Sequence, residues 1–171
     1  MADANLEIKI SANAEGARKG INDVSKSLEE MREAVDAKTA AIKSGLQVEQ
    51  SEIALQQEHL TAARAEAQAR LEAAKAQGDE ATATRAGNAL RQIEGDKLAL
   101  VARAKRAEAA AVQQAVDARR EELGAIGPLT QAQTQELRAA ENHAKALRVE
   151  AAAADQAAQR SRDLTQAHQG N

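Results

Sequence analysis

The sequence contains no Phe, Tyr or Trp, no Cys, and a single Pro among 171 residues. Aromatic rings supply much of the volume of a thick core, so such a core is out of reach here. They also form the platforms on which bases stack, which excludes stacking on nucleic acid. Without cysteine there is neither a disulfide nor a thiolate metal site. Nine Gly and one Pro leave few places for a helix to stop. An excess of one charge is missing too: 23 basic and 26 acidic residues give −3, no electrostatic footprint for a polyanion. No run approaches the ~18 apolar residues that a membrane span needs. The opening MADANLEIKI has neither the basic start nor the apolar stretch of a secretory signal. A soluble, intracellular product is the default expectation.

What remains is helix-forming. Of the 74 hydrophobic residues 44 are alanine, the strongest helix former, with Glu, Gln, Arg, Lys and Leu filling most other positions. The 30 Leu, Ile, Val and Met residues suit a thin helix–helix seam. The composition therefore predicts an all-α, elongated long-helix or coiled-coil rod.

The chain opens differently. Leu6, Ile8 and Ile10 alternate with Glu7, Lys9 and Ser11, the period-2 pattern of a half-buried strand. Residues 1–13 are expected to form a short strand or arm. From Ile21 the period becomes helical, through Val24, Leu28, Met31 and Val35. A long helix is expected over 14–77, capped at Ser11 or Asn13, with its stripe continuing through Ile42, Leu46, Ile53 and Leu60 and thinning to alanine beyond. Gly78-Asp79 is a stop followed by a cap, so a second helix is expected over 80–124. In LGAIGPLT, Gly124, Gly127 and Pro128 form the strongest break. Thr130 with Gln133 offers a capping box for a third helix over 129–168. No repeat of 20 to 50 residues points to a solenoid.

Chemistry is scarce. His59, His143 and His168 lie far apart, with no second His at ligand spacing, and read as solvent-facing side chains. Carboxylates such as Glu29, Glu30 and Glu33 have no desolvated cleft to shift their pKa values. Gly16-x-x-x-Gly20 lacks the Lys-Ser/Thr of a phosphate loop; it reads as a small-residue face for close helix contact or as relaxed helix-start chemistry. No nucleophile–base pair is present. The expectation is a non-enzyme with no cofactor and no metal. Balanced charge around an alanine-rich apolar face favours helix–helix packing over a lipid surface.

The lone strand is a physical problem, because it exposes unpaired backbone on both edges. It would pair with another copy or add to a partner's sheet. Leu6, Ile8, Ile10, Ile21, Val24, Leu28, Met31 and Val35 are accordingly the candidate self-association or partner-binding residues.

LEIKISANAEGARKGINDVSKSLEEM resembles the start of phage tail tape-measure proteins, which begin with a short hydrophobic strand, a small-residue turn and a long helix. The matching positions are Leu6, Ile8, Ile10, Ser11, Ala12, Gly16, Gly20, Ile21, Val24 and Leu28, and the match covers about the first 30 residues. Beyond them the likeness is one of composition. Family members are many times longer and often carry hydrophobic segments or a peptidoglycan-cleaving domain. The resemblance implies a virion structural protein, a helical ruler present in several copies in the tail tube, with tail-tube or tail-tip components as partners. It implies residence in the bacterial cytoplasm during assembly and in the tail afterwards. The competing reading is a coiled-coil adaptor or assembly chaperone, folded back at its two glycine breaks into a three-helix bundle.

Overall fold

A computed structural model describes the backbone of residues 2–169 and the side chains of residues 15, 16 and 18–167. The chain is all-α. Helix α1 spans Ala2–Gln77, α2 Glu80–Ile126 and α3 Gln131–Gln169. At 1.5 Å per residue they measure about 114, 70 and 58 Å.

No strand occurs among the described residues, which corrects the expectation for Leu6–Ile10: their backbone lies within α1. The physical reason is the one that made the strand a problem. Among the described residues there is no second strand to complete a ladder, whereas a helix satisfies its N–H and C=O groups internally. The side chains of Leu6, Ile8 and Ile10 lie outside the described residues.

Both reversals are built from local chemistry. Gly78 takes φ +71, a left-handed conformation that glycine adopts without a Cβ clash. Around it, the Asp79 N–H donates to the Ala74 carbonyl (2.9 Å) and the Gly78 N–H to that of Lys75 (3.3 Å), which closes the end of α1. Asp79 then caps α2 by accepting from the Thr82 N–H at 2.9 Å. At the second reversal α2 runs through Gly124 to Ile126. Gly127, with φ +153, ends it by donating to the Leu123 carbonyl. Thr130 and Gln133 form a reciprocal capping box: the Thr130 N–H donates to Gln133 Oε1 (2.9 Å) and the Gln133 N–H to Thr130 Oγ1 (3.3 Å).

Each hairpin is antiparallel. Between α1 and α2, Lys38 meets Glu121, Arg103 meets Glu49 and Glu52, and Arg64 meets Glu94. Between α2 and α3, Arg120 meets Glu141, Lys105 meets Glu150 and Asp96 meets Arg162. Helix α2 packs against both neighbours, and α1 and α3 do not pack against each other. Sequence spacing on α2 explains this. One heptad series, Asn88, Gly95, Ala102, Ala109, Val116 and Leu123, is buried, with Gly95, Val116 and Leu123 placed against α3. A second series, Ala86, Ile93, Leu100 and Ala107, lines grooves shared with α1. Leu100 and Ala102 are two residues apart, about 200° around a helix, so the two series lie on opposite sides of α2. The result is a single layer of helices, not the closed three-helix bundle of the adaptor reading.

A single layer cannot bury much. The accessible surface is 12205 Å², where a compact folded chain of this mass exposes about 8,000 Å². Most buried positions are alanine, and the larger ones are Ile53, Val116, Leu123, Leu137 and Leu147.

Candidate interaction surface

The α2–α3 side is closed. On α3 the buried residues Leu137, Ala144, Ala151, Ala158 and Thr165 fall seven apart, matching the series on α2. Side-chain size is graded along the pair. Next to the turn, Val116, Leu123 and Leu137 form an apolar cluster with Val112, Leu129 and Ala140 against it. At the far end the helices come close: a Cβ on Gly95 would lie 3.4 Å from the Ala158 carbonyl oxygen and from Ser161. There Ser161 Oγ donates to the Arg91 carbonyl oxygen at 2.8 Å, a bond between a side chain and the backbone of the neighbouring helix. Ion pairs flank the seam. Hydrogen bonding to Glu150 raises the Lys105 pKa, and the same bond lowers that of Glu150. Glu141 likewise raises Arg120.

The α1–α2 side is open. A groove of about 500 Å³ lies between Ile42, Gly45 and Leu46 of α1 and Ala107, Ala110 and Ala111 of α2. Another, of about 560 Å³, lies where α2 ends, between Leu28 and Met31 on one side and Leu123 and Ile126 on the other. Small residues on α2 face half-buried Ile and Leu on α1 and do not fill the gaps between them. Arg103 ties the two helices together by donating to Glu49 (3.2 Å) and Glu52 (3.1 Å), and its pKa is raised chiefly by the Glu49 bond.

The structure divides the candidate association residues. Leu28, Met31 and Val35 are half-buried, with Leu28 and Met31 in the groove against α2. Ile21 and Val24 are 65 % and 60 % exposed, since α2 reaches back only to the level of Leu28–Met31. About 26 residues of α1, some 39 Å of helix, therefore precede the level of the hairpin, with Ile21 and Val24 uncovered. The sequence reading missed a further feature of α1, the exposed pair Val48 and Leu55. Their spacing of seven was visible, but on a helix taken as a one-sided seam they lie off the stripe.

Among the described residues no three His, Asp or Glu side chains cluster as a metal site, and no helix is long and apolar enough to cross a membrane. His59 sits beside Gln56, Leu60 and Leu100 in a shallow groove. The surface offers helix faces, grooves between helices and exposed charges. Comparison with protein-family models, curated proteins and solved structures returned no match.

Proposed function

We propose that the protein is a structural component of phage tail assembly, of the tape-measure type or the N-terminal part of one. It acts by packing helices against other chains, without enzymatic chemistry and without a cofactor. The observation that supports this reading is α1, a 76-residue helix whose first third projects past its own partner and bears the family-like opening. A helix converts residue count into length at a fixed rise, which is what a ruler requires. In the assembled tail the chain works as an elongated rod beside its other copies, with tube or tip proteins as neighbours. The N-terminal end of α1 is its attachment.

One observation favours a second reading. The chain folds back twice, at Gly78 and at Gly127, and a folded-back layer suits an adaptor or assembly chaperone. One experiment separates the two. Three heptads inserted in the projecting part of α1, ahead of Leu28, should lengthen tails by about 30 Å if α1 is part of the ruler. Tails of unchanged length, assembled with the inserted chain, would establish the adaptor role.

A further inference from the structure

We infer that the α1–α2 hairpin is a jackknife: Gly78 and Asp79 form a hinge at which α1 swings away from α2, while α2 and α3 stay paired. Fully opened, the two hinge residues become helical, and α1 and α2 run as one helix from Ala2 to Ile126, about 190 Å long. The hinge operates in a ruler and in an adaptor alike.

Three observations support a hinge. The first is how little holds α1 in place. Among the described residues α1 packs against α2 alone. Its buried side chains are Ile53, Ala67 and Ala74, of which only Ile53 is large. Grooves of about 560, 500 and 390 Å³ interrupt the seam, at Leu28–Leu123, Ile42–Ala107 and Ala67–Ala86. The ion pairs across it, Lys38 with Glu121, Arg103 with Glu49 and Glu52, and Arg64 with Glu94, lie open to solvent and add little. Helix α3, by contrast, buries Leu137, Ala144, Leu147, Ala151, Ala158 and Thr165, and its Ser161 hydroxyl donates to the backbone of α2. The loosely held unit is the one that opens first.

The second is the chemistry of the first turn. Gly78 moves between φ +71 and a right-handed helix without a Cβ clash in either. The Asp79 side chain is tied only to the Thr82 N–H, three residues away on its own helix. An added Cβ on Gly78 would meet nothing within 4 Å. Ala74, Lys75, Ala76 and Gln77 on one side and Glu80 and Ala81 on the other all favour a helix. Straightening exchanges the bonds of the turn for ordinary helical ones.

The third is that the second turn has no such freedom. Pro128 lacks the N–H that would continue the ladder, its ring clashes with the carbonyl four residues back at Gly124, and it disfavours a helical Gly127. One turn can straighten and one cannot, and the turn that can belongs to the loosely packed pair. A weak seam joined to a permissive turn is what hinge motion requires.

The absence of native cysteine allows dye pairs to be placed on the full chain. Lys43→Cys with Ala115→Cys, both exposed, lie level between the Lys38–Glu121 and Arg103–Glu49 pairs and report on α1–α2. Ala115→Cys with Lys145→Cys lie level between the Arg120–Glu141 and Lys105–Glu150 pairs and report on α2–α3. Closed, the first pair is within about 20 Å; open, it is about 108 Å apart along the helix. Single-molecule energy transfer should show a major high-transfer and a minor low-transfer population for the first pair, and high transfer alone for the second. Gly78→Ala should raise the open-to-closed ratio about tenfold or more, because alanine is strained at φ +71 and favoured in a helix. Asp79→Ala, which removes the cap, should shift it the same way. Gly127→Ala should leave both pairs closed, since Pro128 still bars a continuous helix. Circular dichroism of each variant guards against misfolding, because opening retains or raises helicity. A single high-transfer population for the first pair in the parent and in both hinge variants overturns the inference. So does loss of transfer in both pairs together, or loss accompanied by falling helicity, since either means unfolding instead of a hinge. None of these outcomes bears on the tail-length experiment, so the two readings fail separately.

Discussion

Helix α2 takes part in two hairpins that are packed in different ways. Toward α3 it offers Gly95, Ala102 and Ala109 in heptad register against Ala144, Ala151 and Ala158, small against small, and the helices close up until backbone meets side chain. Toward α1 it offers Ala107, Ala110 and Ala111 against Ile42, Gly45 and Leu46, and the larger side chains leave grooves that α2 cannot fill. Similar composition thus yields a tight pair or a loose one, depending on whether small positions face small ones. The tight pair gains stability from close backbone approach. The loose one leaves apolar side chains lining open grooves.

Core truncation should separate the two sides most sharply. Leu137→Ala, in the buried cluster with Val116 and Leu123, should cost about 2–4 kcal/mol in denaturant unfolding. Leu46→Ala, half-buried beside the groove, should cost about 1 kcal/mol. Equal losses would erase the distinction between the hairpins.

Glycine replacement tests the same contrast with opposite signs. Gly95→Val must push against the Ala158 carbonyl and Ser161, and should destabilise by about 1–3 kcal/mol. Gly45→Ala meets nothing within 4 Å and should stabilise α1 by up to about 1 kcal/mol through helix propensity. Thermal unfolding followed by circular dichroism reads both. A stabilised Gly95→Val variant would show that the close approach at that end is not needed.

The smallest expected effect sits at the turn that starts the loose hairpin. Hydrogen bonding from Thr82 holds the Asp79 carboxyl below the usual aspartate range. The ionised cap therefore stabilises the turn above the unfolded value, about 3.9. That contribution is lost as the pH falls through the lower folded value. Asp79→Asn keeps an N-cap without the titration, so its acid unfolding curve should lose the small pH-dependent component below about pH 4. Identical curves for the two proteins would remove Asp79 as its source.

Much of the fold was legible along the chain because its determinants are local. Gly78 followed by Asp79, and Gly127-Pro128 followed by Thr130 and Gln133, mark the reversals through φ preference and capping, which depend on neighbours in sequence. Leu6–Ile10 misled for the opposite reason. Five alternating residues specify a strand only where a second strand exists to pair with, and here the helix that follows extends back through them instead. The association residues were legible as one stripe from Ile21 to Val35. Their division into covered and uncovered parts was not, because it depends on where α2, a hundred residues later, comes to an end.

By itself, the sequence determined an all-α chain with thin seams and two reversals. These follow from alanine content, missing aromatics and capping residues, all properties of composition or near neighbours. Tertiary structure alone decided that the helices form a layer, that α3 packs tightly and α1 loosely, and that α1 projects. Those outcomes rest on a relation no single helix contains: the two apolar series of α2 lie about 200° apart, so its neighbours occupy opposite sides and never meet.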